Sequence, residues 1–179
     1  MSGLIAVCRG IERVNGAIGK AAAWLALFLV LVQFSLVLMR YVFGTGSLFM
    51  QESLIYAHAI LFMMAAAWTL ADDKHVRVDI FYRGMSPVGR ARIDIAGLLL
   101  FLFPLCAFVI YESFDYVAAS WAIREGARDA GGLPYPLISL LKSILLVMPL
   151  LVALQGLSLL LTSVRNLREC RLHAAKLEP

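Results

Sequence analysis

Charge is missing from long tracts of this 179-residue chain. Ala21–Met39, Ser53–Ala71, Ile95–Tyr111 and Ser143–Val164 contain no Lys, Arg, Asp or Glu. Charged residues make up 16% of the whole, against about 25% in a soluble domain, which excludes an ordinary water-soluble fold. Each run, as a helix rising ~1.5 Å per residue, matches a hydrocarbon core ~30 Å thick. Backbone groups find no water there, so the runs are expected to be helices. The chain therefore reads as an all-α integral membrane protein, a single domain over residues 1–179 with four transmembrane helices near 21–39, 53–71, 95–111 and 143–164.

Other scarcities narrow the function. The three cysteines are Cys8 and Cys170 in the tails and Cys106 within a span, which suits neither a disulfide nor a metal site. Of the three histidines only His58 lies in a span, six residues in, while His75 and His173 lie outside. A haem anchor needs two histidines at one depth, so a simple redox membrane anchor is disfavoured. A self-contained ion-coupled carrier needs an ionisable group deep in the membrane, and a small homo-oligomeric exporter of the multidrug kind needs a Glu in its first span. Residues 21–39 have none. No nucleophile with its base, phosphate-binding glycine loop or metal cluster is present, so no enzyme and no cofactor in this chain is expected.

The first run follows basic residues, but at 19 residues it is too long for a signal-peptide core, and no small-x-small cleavage site follows Met39. It reads as a retained anchor. With four spans both termini share a side with the 72–94 loop. That side holds Arg9, Arg13, Lys20, Lys74, Arg77, Arg83, Arg90, Arg92, Arg165, Arg168, Arg171 and Lys176, or 12 of 16 basic residues. By the positive-inside rule the termini are expected to be cytoplasmic. The pI of about 9.1 then reports topology and contact with membrane phospholipids, and no nucleic-acid partner. Trp24 and Trp68 near one edge, and Tyr41 and Tyr56 near the other, fit interfacial belts.

The connections carry most of the remaining pattern. Residues 40–52 form a short outer turn, with Arg40 and Glu52 closing the two span ends and placed to pair or to anchor at the interface. In 72–94, His75, Arg77 and Asp79 alternate with apolar residues, and a segment lying on the cytoplasmic surface is expected rather than a lone strand. Ser86-Pro87 predicts a helix start, Ser86 as N-cap and Pro87 at N1, continuing through Arg90 and Arg92 into span three. That helix keeps its spacing to about Glu125, ~46 Å from Ile95, so a long third helix is expected to reach the outer side, with Pro104 as a candidate kink. Its extension and the following loop carry Glu112, Asp115, Arg124, Glu125, Arg128 and Asp129. These charges either dock a soluble partner or solvate a helix end. Gly131-Gly132-Leu133-Pro134-Tyr135-Pro136 is a stiff return turn, after which Lys142 snorkels. Gln33 and Gln155, counted to similar depth, are expected to bond between helices, with His58 as a further interhelical polar group.

Taken together, Arg40-Tyr41-Val42-Phe43, Gln51-Glu52, His75-Val76-Arg77-Val78-Asp79 and Gly131-Gly132-Leu133-Pro134 resemble the small membrane subunit of tripartite ATP-independent periplasmic (TRAP) transporters. The likeness runs from span one to span four, and His75–Asp79 is its most specific element. Gly131–Pro134 and Leu154-Gln155-Gly156-Leu157 are similar to members that handle small organic acids. The resemblance implies a bacterial inner-membrane location and a complex of three parts. A periplasmic substrate-binding protein delivers solute to a large subunit that moves it by a sodium-driven elevator motion. This chain is implied to be the fixed, non-transporting scaffold, and the sodium ions belong to the large subunit. Ending after its fourth span, the chain is expected to be the unfused form. Arg40, Glu52, Arg77, Asp79, Arg90 and Arg92 become candidate subunit or lipid contacts, and the outer charges become candidate contacts for the binding protein. The rival readings are a self-contained homo-oligomeric exporter or channel and a redox membrane anchor.

Overall fold

The computed structural model describes residues 2–72, 84–127 and 131–177, with side chains described over 6–72, 84–127 and 131–169. Helix α1 runs Ser2–Val42 and α2 Leu48–Ala71. Helix α3, Pro87–Gly97, passes through a π-helical turn at Leu98–Leu102 into α4, Phe103–Ala122, and α5 runs Leu137–Leu177. Among the described residues there is no strand. Helices Ala6–Val42, Leu48–Ala71, Pro87–Ala122 and Leu137–Glu169 are long and apolar enough to span a membrane. The protein is thus an all-helical, multi-pass membrane protein.

Local chemistry explains the helix ends. Ser47 is extended (φ −127°, ψ 113°) and its hydroxyl accepts from the Met50 amide, starting α2. Ser86 does the same for Gly89 at 3.2 Å, with Pro87 in the first turn, so the start expected from sequence is present. Gly44 ends the α1 exit at φ +64°, a conformation that costs a residue with Cβ. Arg124 (φ 49°) and Gly131 (φ 89°) are the other left-handed positions among the described residues. The third span does not simply kink at Pro104. The wide turn lies just upstream, where the Phe103 amide bonds the Leu98 carbonyl five residues back. That extra residue in the turn lets the chain accommodate a proline that has no amide to donate.

The helices pack as two hairpins bridged by α5. Helix α1 lies along α2, α3–α4 lies along α5, and α5 also touches both α1 and α2. Small residues set the close approaches. A Cβ on Gly19 would stand 2.5 Å from the Trp68 Cβ, and one on Gly156 would stand 2.7 Å from a Leu102 methyl. Ala22, Ala57 and Ala67 are buried in the same way. Without a hydrophobic gain between helices in lipid, such close van der Waals contact is what drives association.

Register between the hairpins departs from the sequence reading. Three of the four spans are over-long, where only the third was expected to be: charged residues such as Arg13 and Arg165 mark a membrane edge without stopping a helix. Asn15, six residues before the α1 apolar run begins, is bonded to Gln155, nine residues before the α5 run ends. The two runs are therefore staggered by about 15 residues, or ~22 Å along the axes. Glu52, at the start of the α2 run, bonds Leu133, ten residues before the α5 run starts, a stagger of the same sense. Both runs fit one hydrocarbon layer when the bundle axis leans well away from the membrane normal.

Candidate functional site

The densest set of specific contacts lies at the loop end of the bundle, opposite the termini. Glu52 sits in the first turns of α2, and its Oε2 accepts the backbone N–H of Leu133 at 2.6 Å. Leu133 is buried. The neighbouring Gly132 is where it is because nothing larger fits: an added Cβ would meet the Ala127 Cβ at 2.5 Å and both Glu52 oxygens at 2.6 and 2.9 Å. The Ala127 amide donates to the Leu133 carbonyl at 3.0 Å, closing the α4–α5 turn. Gln51-Glu52 and Gly131–Pro134, far apart in sequence, thus form one junction. Glu52 turns toward α5 and forms no pair with Arg40, because its carboxylate finds an unmet backbone donor on its own face of α2.

Helices α4 and α5 are laced together beside this staple. The buried hydroxyls of Ser120 and Ser139 lie 3.1 Å apart, and Ser139 also donates to the Ser120 carbonyl at 3.2 Å. Trp121 Nε1 donates to Ser143 Oγ at 2.9 Å, and its ring meets Tyr135 edge-on, centroids 6.1 Å apart. Lys142 Nζ pairs with Glu125 and lies 4.0 Å from the centre of the Tyr116 ring. Lys142 is thus held between the Glu125 carboxylate and the Tyr116 ring. Glu125, expected on a docking surface, is held in this pair, and α4 ends three residues before it.

A second cluster ties α1 to α5 toward the termini. Asn15 Nδ2 donates to Gln155 Oε1 at 2.9 Å, both side chains being buried, and to the Leu151 carbonyl at 3.4 Å. Ser158 Oγ donates to Glu12 Oε1 at 3.2 Å, and the Cys8 thiol points to the Ser158 carbonyl at 3.9 Å. Gln155 does bond between helices, but not with Gln33. Eighteen residues separate Asn15 from Gln33 along α1, ~27 Å, so depth counted from the apolar runs alone chose the wrong partner. Asn15 was not singled out from sequence. Its signal was the spacing Cys8, Asn15, Gly19, Ala22, one buried helical face hidden among charged neighbours.

The remaining candidates are on the surface. Gln33 and His58 are exposed and line one shallow groove between α1 and α2, and Arg40 is exposed at the top of a second, adjoining cleft. Arg90 bonds the Met85 carbonyl at 3.1 Å and lies near Asp94, Asn166 and Glu169, whereas Arg92 is exposed. Glu112, Asp115 and Arg124 are exposed. Arg77, Asp79, Arg128 and Asp129 lie outside the described residues. Among the described residues no three His, Cys, Asp or Glu side chains gather as a metal site would require.

Residues 12–166 match the family of the DctQ component of tripartite ATP-independent periplasmic transporters. No curated protein and no solved structure matches the chain.

Proposed function

The chain belongs to the DctQ component family of tripartite ATP-independent periplasmic transporters, and from that premise we propose that it is the non-transporting scaffold subunit of such a transporter. In this reading it sits in the bacterial inner membrane with both termini cytoplasmic. It packs against a large, sodium-coupled elevator subunit and holds that subunit at constant depth while a periplasmic binding protein delivers a small organic acid. Sodium binding and solute translocation belong to the large subunit.

The observation that carries this reading is the Glu52–Leu133 staple at Gly132. Of the stretches that carry the family resemblance, these form an internal tie between hairpins, not a solute site. Asn15–Gln155 and Ser120–Ser139 likewise bond within the bundle. A stator needs that internal economy, because a moving partner exerts force on it at every cycle. Exposed Glu112, Asp115 and Arg124 are left for a wet, transient contact with the binding protein, where charge governs association rate more than affinity. Arg92 is left for lipid phosphates.

Reconstitution tests the proposal. Vesicles holding this chain alone should take up no solute, and vesicles holding it with its large subunit and loaded binding protein should show sodium-dependent uptake. Sodium-driven uptake by the isolated chain would refute the scaffold assignment.

A further inference from the structure

Next to the α1–α2 turn two concavities join into one amphiphilic groove. The upper is a cleft of about 630 Å³ lined by Arg40, Thr45, Ser47 and Gln51, among others, and Arg40 is the one charged residue among its described lining. The lower is a trough of about 740 Å³ between α1 and α2 whose walls include Leu29, Phe34 and Leu54. Gln33 and Val37 line both, so the polar cleft runs directly into the apolar trough. Arg40 is exposed and makes no ion pair among the described residues. The nearest carboxylate in sequence, Glu52, is bonded to Leu133 and is not part of the lining.

We propose that this groove binds one anionic phospholipid of the leaflet at the loop end, its phosphate on Arg40 and one acyl chain along the α1–α2 trough. The dimensions agree. Arg40 to Leu29 is 11 residues, ~16 Å along α1, comparable with the ~15 Å half-thickness of a hydrocarbon core that one acyl chain fills. The polar groups agree as well. A guanidinium presents paired donors to phosphate oxygens, and the Thr45 and Ser47 hydroxyls and the Gln51 amide can meet a glycerol headgroup. The chain gains nothing from hydrophobic burial, since bulk lipid offers the same surroundings. Selectivity therefore rests on the headgroup, and the trough supplies only fit. A phospholipid brings an anion for the Arg40 cleft and an acyl chain for the adjoining trough in one molecule.

The test uses the full chain, purified in detergent, delipidated and titrated with phosphatidylglycerol or phosphatidylcholine of the same acyl chains, bound lipid being counted by native mass spectrometry. Phosphatidylglycerol should bind more tightly. Arg40→Ala should weaken it by about fivefold, the effect of one basic side chain at an anionic lipid surface, while Arg40→Lys, which keeps the charge without the paired donors, should fall between that variant and the parent. Leu54→Trp, which fills the trough, should weaken both lipids alike. Arg124→Ala, removing the same charge from an exposed position outside the groove, should change neither. Equal binding of the two lipids, or an Arg40→Ala chain that binds phosphatidylglycerol like the parent, would overturn the proposal. Loss of the bound lipid on adding the large subunit would assign the groove to a protein helix instead.

Discussion

Replacing Gly132 with Ala probes the loop-end junction from both sides at once. The new methyl would arrive 2.5 Å from the Ala127 Cβ and 2.6 Å from Glu52 Oε2, both far inside contact distance. Overpacking of this kind costs ~1–3 kcal/mol, and here one neighbour sits on short, backbone-fixed geometry. Glu52→Gln keeps the acceptor but removes its charge. A bond to a charged group is worth ~1.5–3 kcal/mol against ~1 for a neutral one, so this change should cost ~1 kcal/mol, whereas Glu52→Ala orphans the Leu133 amide for ~1–3. In a chain of this size each kcal/mol moves Tm by roughly 2–4 °C.

The substitutions should also be coupled. In Glu52→Ala the carboxylate half of the Gly132→Ala clash disappears while the Ala127 half remains. The double variant should therefore be more stable than the sum of the single losses by more than the ~0.5 kcal/mol that separates additive from interacting sites. Thermal unfolding of the four proteins in one detergent gives the cycle. Two further glycines act as controls. Gly46→Ala has nothing within 4 Å and should stay near the parent, and Gly156→Ala clashes with the flexible end of Leu102, its contacts with Leu98 and Phe103 being ordinary at 3.7 Å, and should cost less than Gly132→Ala. Strict additivity at 52 and 132, or a Gly132→Ala protein as stable as Gly46→Ala, would refute the staple.

Three other outcomes follow from the contacts. Asn15→Leu should lower stability by ~1–3 kcal/mol because it strands a buried Gln155 oxygen, while the matched pair Asn15→Leu/Gln155→Leu recovers part of the loss in the same unfolding assay; Gln33→Leu should leave it unchanged. Reversing the exposed Glu112 and Asp115 to Lys should slow uptake at limiting binding protein, with partial recovery at excess; unaltered uptake at every concentration would remove this face from docking. In oriented bilayers, infrared dichroism should report a mean helix tilt well above the common ~20°, since the staggered apolar runs of α1 and α5 share one layer only in a leaning bundle; a mean near ~20° would contradict the stagger of the hairpins.

What sequence revealed and what it hid divide along physical lines. The apolar runs declare the spans because lipid leaves a helix as the one way to satisfy an unbranched backbone, and Ser86-Pro87 declares a helix start because capping is local chemistry. Gln51-Glu52 and Gly131–Pro134 stood out as motifs, yet their meeting did not. The partner of Glu52 is a backbone amide 81 residues away, and a backbone donor has no signature in sequence. Arg40, the nearby opposite charge, was open either to pair with Glu52 or to anchor at the interface, and it is the Leu133 amide that Glu52 holds. Gln33 was matched to Gln155 by placing every apolar run symmetrically in one layer. The fold instead slides α5 by about 15 residues relative to α1, and a shared slide of a whole hairpin leaves each run's own composition untouched. The same slide puts Asn15 among charged residues, where it reads as part of a solvated tail, although its buried neighbours Cys8, Gly19 and Ala22 recur at helical spacing along one face. In a membrane bundle, then, composition fixes which segments cross, while the small and polar residues at close approaches fix how far each is displaced along its neighbour. That displacement decides which polar groups meet inside the bundle and which, like Gln33 and Arg40, are left on its surface.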